Sequence, residues 1–149
     1  MSPTGLHLAR RFAGALAARA PRPAEHARAS ALLSAPEALA WGRLSRADRR
    51  HSLTVLARLD RAEPAAPAAV RRAALLHDVG KGLVRLGVAG RVAATLLGSR
   101  TERWALYREH ARTGAWLCRT LGTDAATLAL LEGGGETRWR EALRRADDA

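Results

Sequence analysis

The chain has 149 residues, 48% of them apolar but only 4% aromatic, and carries a formal charge of +11. That length supports one hydrophobic core. Its single cysteine, Cys118, excludes an internal disulfide or a thiolate metal cluster, and no apolar run approaches the ~20 residues of a bilayer span.

All but one of the 25 basic residues are Arg, the exception being Lys81. They are scattered and lack an aromatic ladder for base stacking, so the charge reads as the residue usage of a GC-rich coding background rather than a nucleic-acid surface. A general attraction for anions, phosphorylated small molecules included, still follows. Alanine and leucine dominate and Ile is absent, a mixture that favours helices over strands. The expectation is an all-α fold, a compact bundle of about six to eight helices.

Residues 1–22 read as a loosely attached N-terminal arm closed by Pro21-Arg22-Pro23, and 23–149 as a single helical domain. The stretch from Arg10 to Arg19 superficially resembles a secretory signal, but its apolar part is short and closed by Arg19. It reads as an amphipathic helix, and the cytoplasm is the default compartment. Helices are predicted over about 24–33 and 36–43, the second with Pro36 in its first turn. Ser45-Arg46-Ala47-Asp48 resembles a capping box and opens a helix to about Ala62. After the Glu63-Pro64-Ala65-Ala66-Pro67 break, a helix over roughly 68–78 is stopped by Gly80 and Gly82. Helices near 88–97, 102–121 and 124–131 follow. Gly133-Gly134-Gly135 forces a loop, and a last helix runs from about Thr137 to the end. Cys118, with Trp116, Leu117 and Leu121 as neighbours, is expected to fill core.

The informative segment is Ala74-Leu75-Leu76-His77-Asp78-Val79-Gly80-Lys81-Gly82. Chance gives about 0.2 His-Asp pairs in a chain of this composition, but His-Asp-x-Gly-Lys arises by chance on the order of once in ten thousand such chains. The helix before it is apolar through Val70, Ala73, Ala74, Leu75 and Leu76. A His and an Asp at its buried end must be paired, hydrogen-bonded or bound to metal, because a bare buried carboxylate is costly. Gly80 permits a sharp turn, and Lys81 beyond it can reach an anion.

From these residues the chain resembles the HD superfamily of metal-dependent phosphohydrolases over roughly residues 40–149. That family's pattern is a His, then a His-Asp pair, then a distant Asp, converging on one metal. Here His77 and Asp78 match the pair, His51 the upstream His and Asp147 the final Asp. Helical phase offers a separate check. His51 shares a face with Val55, Leu59 and Ala62, and Asp147 follows the stripe of Trp139 and Leu143, whereas Asp148 lies with Arg144, Arg145 and Glu141. His110 resembles the His of a His-x-x-x-Gly segment in members with a larger site, and reads equally as a plain core residue, a contact beyond the metal ligands or a substrate contact. His7 and His26 read as surface residues.

The resemblance implies hydrolysis of a phosphate ester, nucleotides among the candidates, through a metal-activated water. One divalent ion (Mn, Fe, Co, Ni or Zn) would be held by His51, His77, Asp78 and Asp147. Asp78 and Lys81 are the expected catalytic residues, and a phosphorylated small molecule is the expected partner, with neither membrane nor nucleic acid. One departure stands out. Many relatives carry adjacent histidines before the last helix, where this chain reads Leu131-Glu132-Gly133-Gly134-Gly135-Glu136. That leaves a mononuclear site, with Glu132 or Glu136 as conceivable oxygen ligands. The alternative is a catalytically degenerate HD fold serving as a metal- or nucleotide-binding regulatory module.

Overall fold

A computed structural model of the chain describes residues 21–82 and 112–149. Among these, every regular element is helical: α1 (Pro23–Leu32), α2 (Ala35–Gly42), α3 (Arg46–Ala62), α4 (Ala68–Leu76), a 3₁₀ turn (Val79–Gly82), α5 (112–120), α6 (Ala125–Leu131) and α7 (Thr137–Asp148). The all-α expectation holds. The expected N-terminal arm up to residue 20, the helix near 88–97 and both His7 and His110 lie outside the described residues.

Local chemistry sets the helix ends. Pro23 and Pro36 occupy first-turn positions, where a missing N–H costs nothing. The Ser45 hydroxyl oxygen accepts the N–H of Asp48 at 3.1 Å and donates to the Asp48 carboxylate at 2.6 Å. A second box at Ser34 and Glu37 opens α2, with Glu37 Oε2 accepting the Ser34 N–H at 2.8 Å. Its Ser-x-x-Glu spacing stands in the sequence as plainly as that of Ser45, but it lies in a short helix that Pro36 already marked. Asp124 caps α6. One boundary differs from expectation. α4 stops at Leu76, before the glycines, and Gly80 and Gly82 lie within the 3₁₀ turn rather than acting as stops. Gly133 and Gly135 take φ of 78° and 75°, where a Cβ would be strained, as a forced loop requires.

α4 is the hub. It packs against α3 on one side and α6 on the other, and also touches α1, α2 and α7. Val70, Ala73, Ala74, Leu75 and Leu76 are all buried there, together with Val55, Leu56 and Leu59 of α3 and Trp41 of α2. Each fully buried Leu or Val contributes about 1.5–3 kcal/mol relative to exposure. Cys118 is buried, and burial pushes its thiol up to about 11, so it is an unreactive core filler. Its neighbour Trp116, by contrast, is 61% exposed, and Ala62 is exposed at the frayed end of α3.

Among the described residues one charged side chain lies in this core. The Glu37 carboxylate is buried, accepts from Thr123 Oγ1 at 2.6 Å and faces Arg72 Nε at 3.6 Å. Arg72 continues to the Leu32 carbonyl at 2.9 Å and to Asp124 at 2.5 Å. The buried charge is thus satisfied by a network joining α1, α2, α4 and the start of α6. No helix among the described residues is long and apolar enough to cross a membrane.

Candidate metal centre

Three separate stretches of chain deliver the candidate ligands. His51 stands in the second turn of α3, His77 and Asp78 follow α4 directly, and Asp147 lies in the last turn of α7. The first turn beyond α4 is fixed by backbone bonds from His77 N to Ala73 O at 2.9 Å and from Lys81 N to Asp78 O at 2.9 Å. α5 presses against it, for a Cβ on Gly114 would come within 3.1 Å of Gly80 N. Arg58 of α3 holds α7 in place by donating to the carbonyls of Ala146 at 3.1 Å and Ala149 at 2.8 Å. That tie spans the residues on both sides of Asp147.

The structure brings the ligand candidates together. One ligand atom from each of His51, His77 and Asp78 lies within 4.8 Å of the others. Asp147 Oδ1 is 2.7 Å from His51 Nε2 and 3.6 Å from His77 Nε2, and His77 Nε2 is 3.5 Å from Asp78 Oδ2. His51 and Asp147 are half-buried, and the neighbouring Asp148 is exposed. Helical phase therefore distinguishes the two aspartates correctly.

Hydrogen bonding fixes the tautomer of His77. Its Nδ1 lies 2.9 Å from the Ala74 carbonyl oxygen, which can only accept, so Nδ1 carries a proton. In the neutral ring the lone pair is then on Nε2, and Nε2 is buried with no hydrogen-bond partner. Its two nearest carboxylate oxygens, at 3.5 and 3.6 Å, are too far for a direct bond. They match two ligands sharing one ion, since metal–ligand bonds of about 2.0–2.2 Å give ligand–ligand edges of roughly 3.0–3.6 Å. A backbone carbonyl that orients a ligating His from its other nitrogen is a recurrent device. The donor set therefore fits a divalent metal.

The other groups are engaged with one another. His51 Nε2 donates to Asp147, and this bond holds the Asp147 carboxyl below its ordinary value against the opposing effect of partial burial, with His77 and Lys81 assisting. Ligation through His51 Nε2 requires that proton to leave. Lys81 Nζ is 2.5 Å from Asp78 Oδ2.

Three of the four candidates, His77, Asp78 and Asp147, line a cleft of about 570 Å³ whose walls also include Val55, Leu130, Leu131 and Leu143; His51 does not line it and joins the group through its bond to Asp147. Arg140 and Arg144 of α7 also line it. Phase analysis set Arg144 on the outward face with Asp148. It missed this role because a cleft wall is solvated and reads as surface. Neither Glu132 nor Glu136 lines the cleft. Glu132 is paired with Arg119, and Glu136 is exposed at the start of α7. His26 is exposed and packs edge-on against Trp41.

Against family models, curated proteins and solved structures alike, no match to this chain is found.

Proposed function

We propose that the chain is a metal-dependent phosphohydrolase of the HD type. It acts on a phosphate ester, nucleotides being the leading class, with one divalent ion held by His51, His77, Asp78 and Asp147. The observation that carries this reading is the buried, unpartnered Nε2 of His77, oriented from behind by the Ala74 carbonyl and flanked by two carboxylates. Two imidazoles and two carboxylates suit Mn, Fe, Co, Ni or Zn. When bound, such an ion supplies Lewis-acid activation of a water and of the phosphoryl oxygen.

The chain's own residues provide the remainder. Asp78 lines the cleft beside Nε2 of His77 and accepts the proton of an attacking water. Lys81, fixed against Asp78 and lining the cleft, stabilises negative charge that develops on the phosphoryl group. Before the metal binds, Asp147 orients His51 through their 2.7 Å hydrogen bond. The compartment we assign is the cytoplasm, consistent with a buried free thiol.

The test is hydrolysis of an aryl phosphate with added Mn²⁺. Activity in the parent chain that His77→Ala abolishes supports the reading. Activity that survives His77→Ala, or its absence from the parent, refutes it. One observation favours a second reading, a catalytically degenerate binding module: the loop from Leu131 to Glu136 brings no imidazole to the cleft, and its Glu132 is committed to Arg119. Tight metal binding without turnover of any phosphate ester would select that reading.

A further inference from the structure

The arginines of α7 divide by face. Arg138 pairs with Glu63 at 2.7 Å, and Arg145 reaches Glu141 at 3.7 Å and Glu63 at 3.9 Å. Both sit outside the cleft. Arg140 and Arg144 line it, and among the described residues neither has a carboxylate partner. Arg140 is held instead by neutral acceptors, the Gly133 carbonyl at 2.9 Å and Thr137 Oγ1 at 3.0 Å, which fix its guanidinium without neutralising it. The other charged groups at the cleft have partners of their own, Asp147 being hydrogen-bonded to His51 at 2.7 Å. Lys81 is paired with Asp78, and Glu141 is within reach of Arg145. The uncompensated positive charge of this cleft therefore sits on two arginines one helical turn apart.

From this we infer that Arg140 and Arg144 form a second anion subsite, and that the cleft takes an organic phosphate bearing a second phosphate group. The inference rests on the phosphohydrolase reading of the same cleft, because the first phosphate is the one at His77 and Asp78. At 1.5 Å rise per residue, Arg144 and Arg140 lie roughly 5 and 10 Å along α7 from Asp147. That separation suits two phosphates spaced across a sugar rather than one phosphate contacted twice. Guanidinium groups bind phosphate oxygens in bidentate fashion, and a fixed Arg140 loses little freedom on doing so. Leu130, Leu131 and Leu143 supply an apolar wall for the organic portion.

The experiment uses the full chain in EDTA at fixed ionic strength, with adenosine 3′,5′-bisphosphate and AMP as probes and calorimetry as the readout. The bisphosphate should bind roughly tenfold more tightly than AMP, the order of one charge-assisted contact. The double variant Arg140→Gln/Arg144→Gln should erase that difference, while Arg138→Gln, a charge loss outside the cleft, should keep it. Equal affinities in the parent chain, a preference that survives the double variant, or an equal loss in Arg138→Gln would each overturn the subsite. The substituted side chains are exposed, and unchanged helical circular dichroism verifies folding. Because binding is read without metal or turnover, failed hydrolysis of the aryl phosphate would remove the enzymatic reading and leave this result standing, and the reverse also holds.

Discussion

Asp147→Asn is the most informative single substitution, because it removes a charge while nearly preserving shape. In the metal-free protein the Asp147 carboxylate accepts a 2.7 Å hydrogen bond from His51. A bond to a charged group is worth about 1.5–3 kcal/mol. With the Asp147 side chain 31% exposed, solvent screening reduces that to about 1 kcal/mol of lost stability. The effect on metal should be larger. Loss of a partner that merely orients a ligand costs about 10–100-fold in affinity, so loss of an anionic ligand should cost at least about tenfold, or 1.4 kcal/mol. Asp148 is exposed one residue further on, and Asp148→Asn should leave Mn²⁺ affinity unchanged. Calorimetric titration of both variants with Mn²⁺ decides the matter. Equal losses, or a greater loss for Asp148→Asn, would refute the assignment of Asp147 to the site.

Three further outcomes follow from other parts of the molecule. Glu37→Ala leaves Arg72 its bond to Asp124 but takes the acceptor from buried Thr123 Oγ1 and from the Ser34 N–H, and should destabilise the fold by about 2 kcal/mol, measurable by urea unfolding; a loss under about 1 kcal/mol would show the buried carboxylate to be dispensable. Gly114→Ala places a methyl 3.1 Å from the Gly80 backbone nitrogen, and the overpacking of about 1–3 kcal/mol is offset by about 1 kcal/mol of helix propensity, so stability should fall by up to about 2 kcal/mol; a urea midpoint raised by the full propensity gain would mean α5 does not press on the turn that carries Lys81. Partial burial pushes the Asp124 carboxyl up, but hydrogen bonds from Thr127 and Arg72 outweigh it and leave the carboxyl below its ordinary value of 3.8. Its stabilisation is therefore present above that value and lost as pH falls below it through the lower folded value. Asp124→Asn should accordingly be less stable than the parent at neutral pH, with the gap closing in acid. A gap independent of pH would contradict the account.

Much of this was legible in the residue order because two periodicities coincide with the fold. Val70 and the apolar stretch Ala73–Leu76 bury the C-terminal half of α4, which forced His77 and Asp78 into a site where they needed partners. Helical phase turned Asp147 rather than Asp148 inward, toward His51 on a distant helix. The limits are as physical as the successes. Phase sorts residues into core and solvent but has no category for a cleft wall, so Arg144 was assigned to the solvated face. Nor does it find a buried charge. Glu37 reads as an ordinary first-turn carboxylate, and its burial depends on Thr123 and Arg72 arriving from remote segments. The orphaned Nε2 of His77 is likewise a tertiary fact, fixed by how the ring turns toward the Ala74 carbonyl.

The central claim is that His77 and Asp78 hold metal. Elemental analysis of the purified chain, loaded with Mn²⁺ and dialysed, tests it most directly, alongside His77→Ala and Asp78→Ala with folding checked by circular dichroism. The account predicts close to one equivalent per chain in the parent. A second ion about 3.5–4 Å away would need further ligands, and Glu132 is already committed to Arg119. It predicts a severalfold lower content in both variants. Parent-level metal in both variants, or a parent chain that retains none, would contradict it.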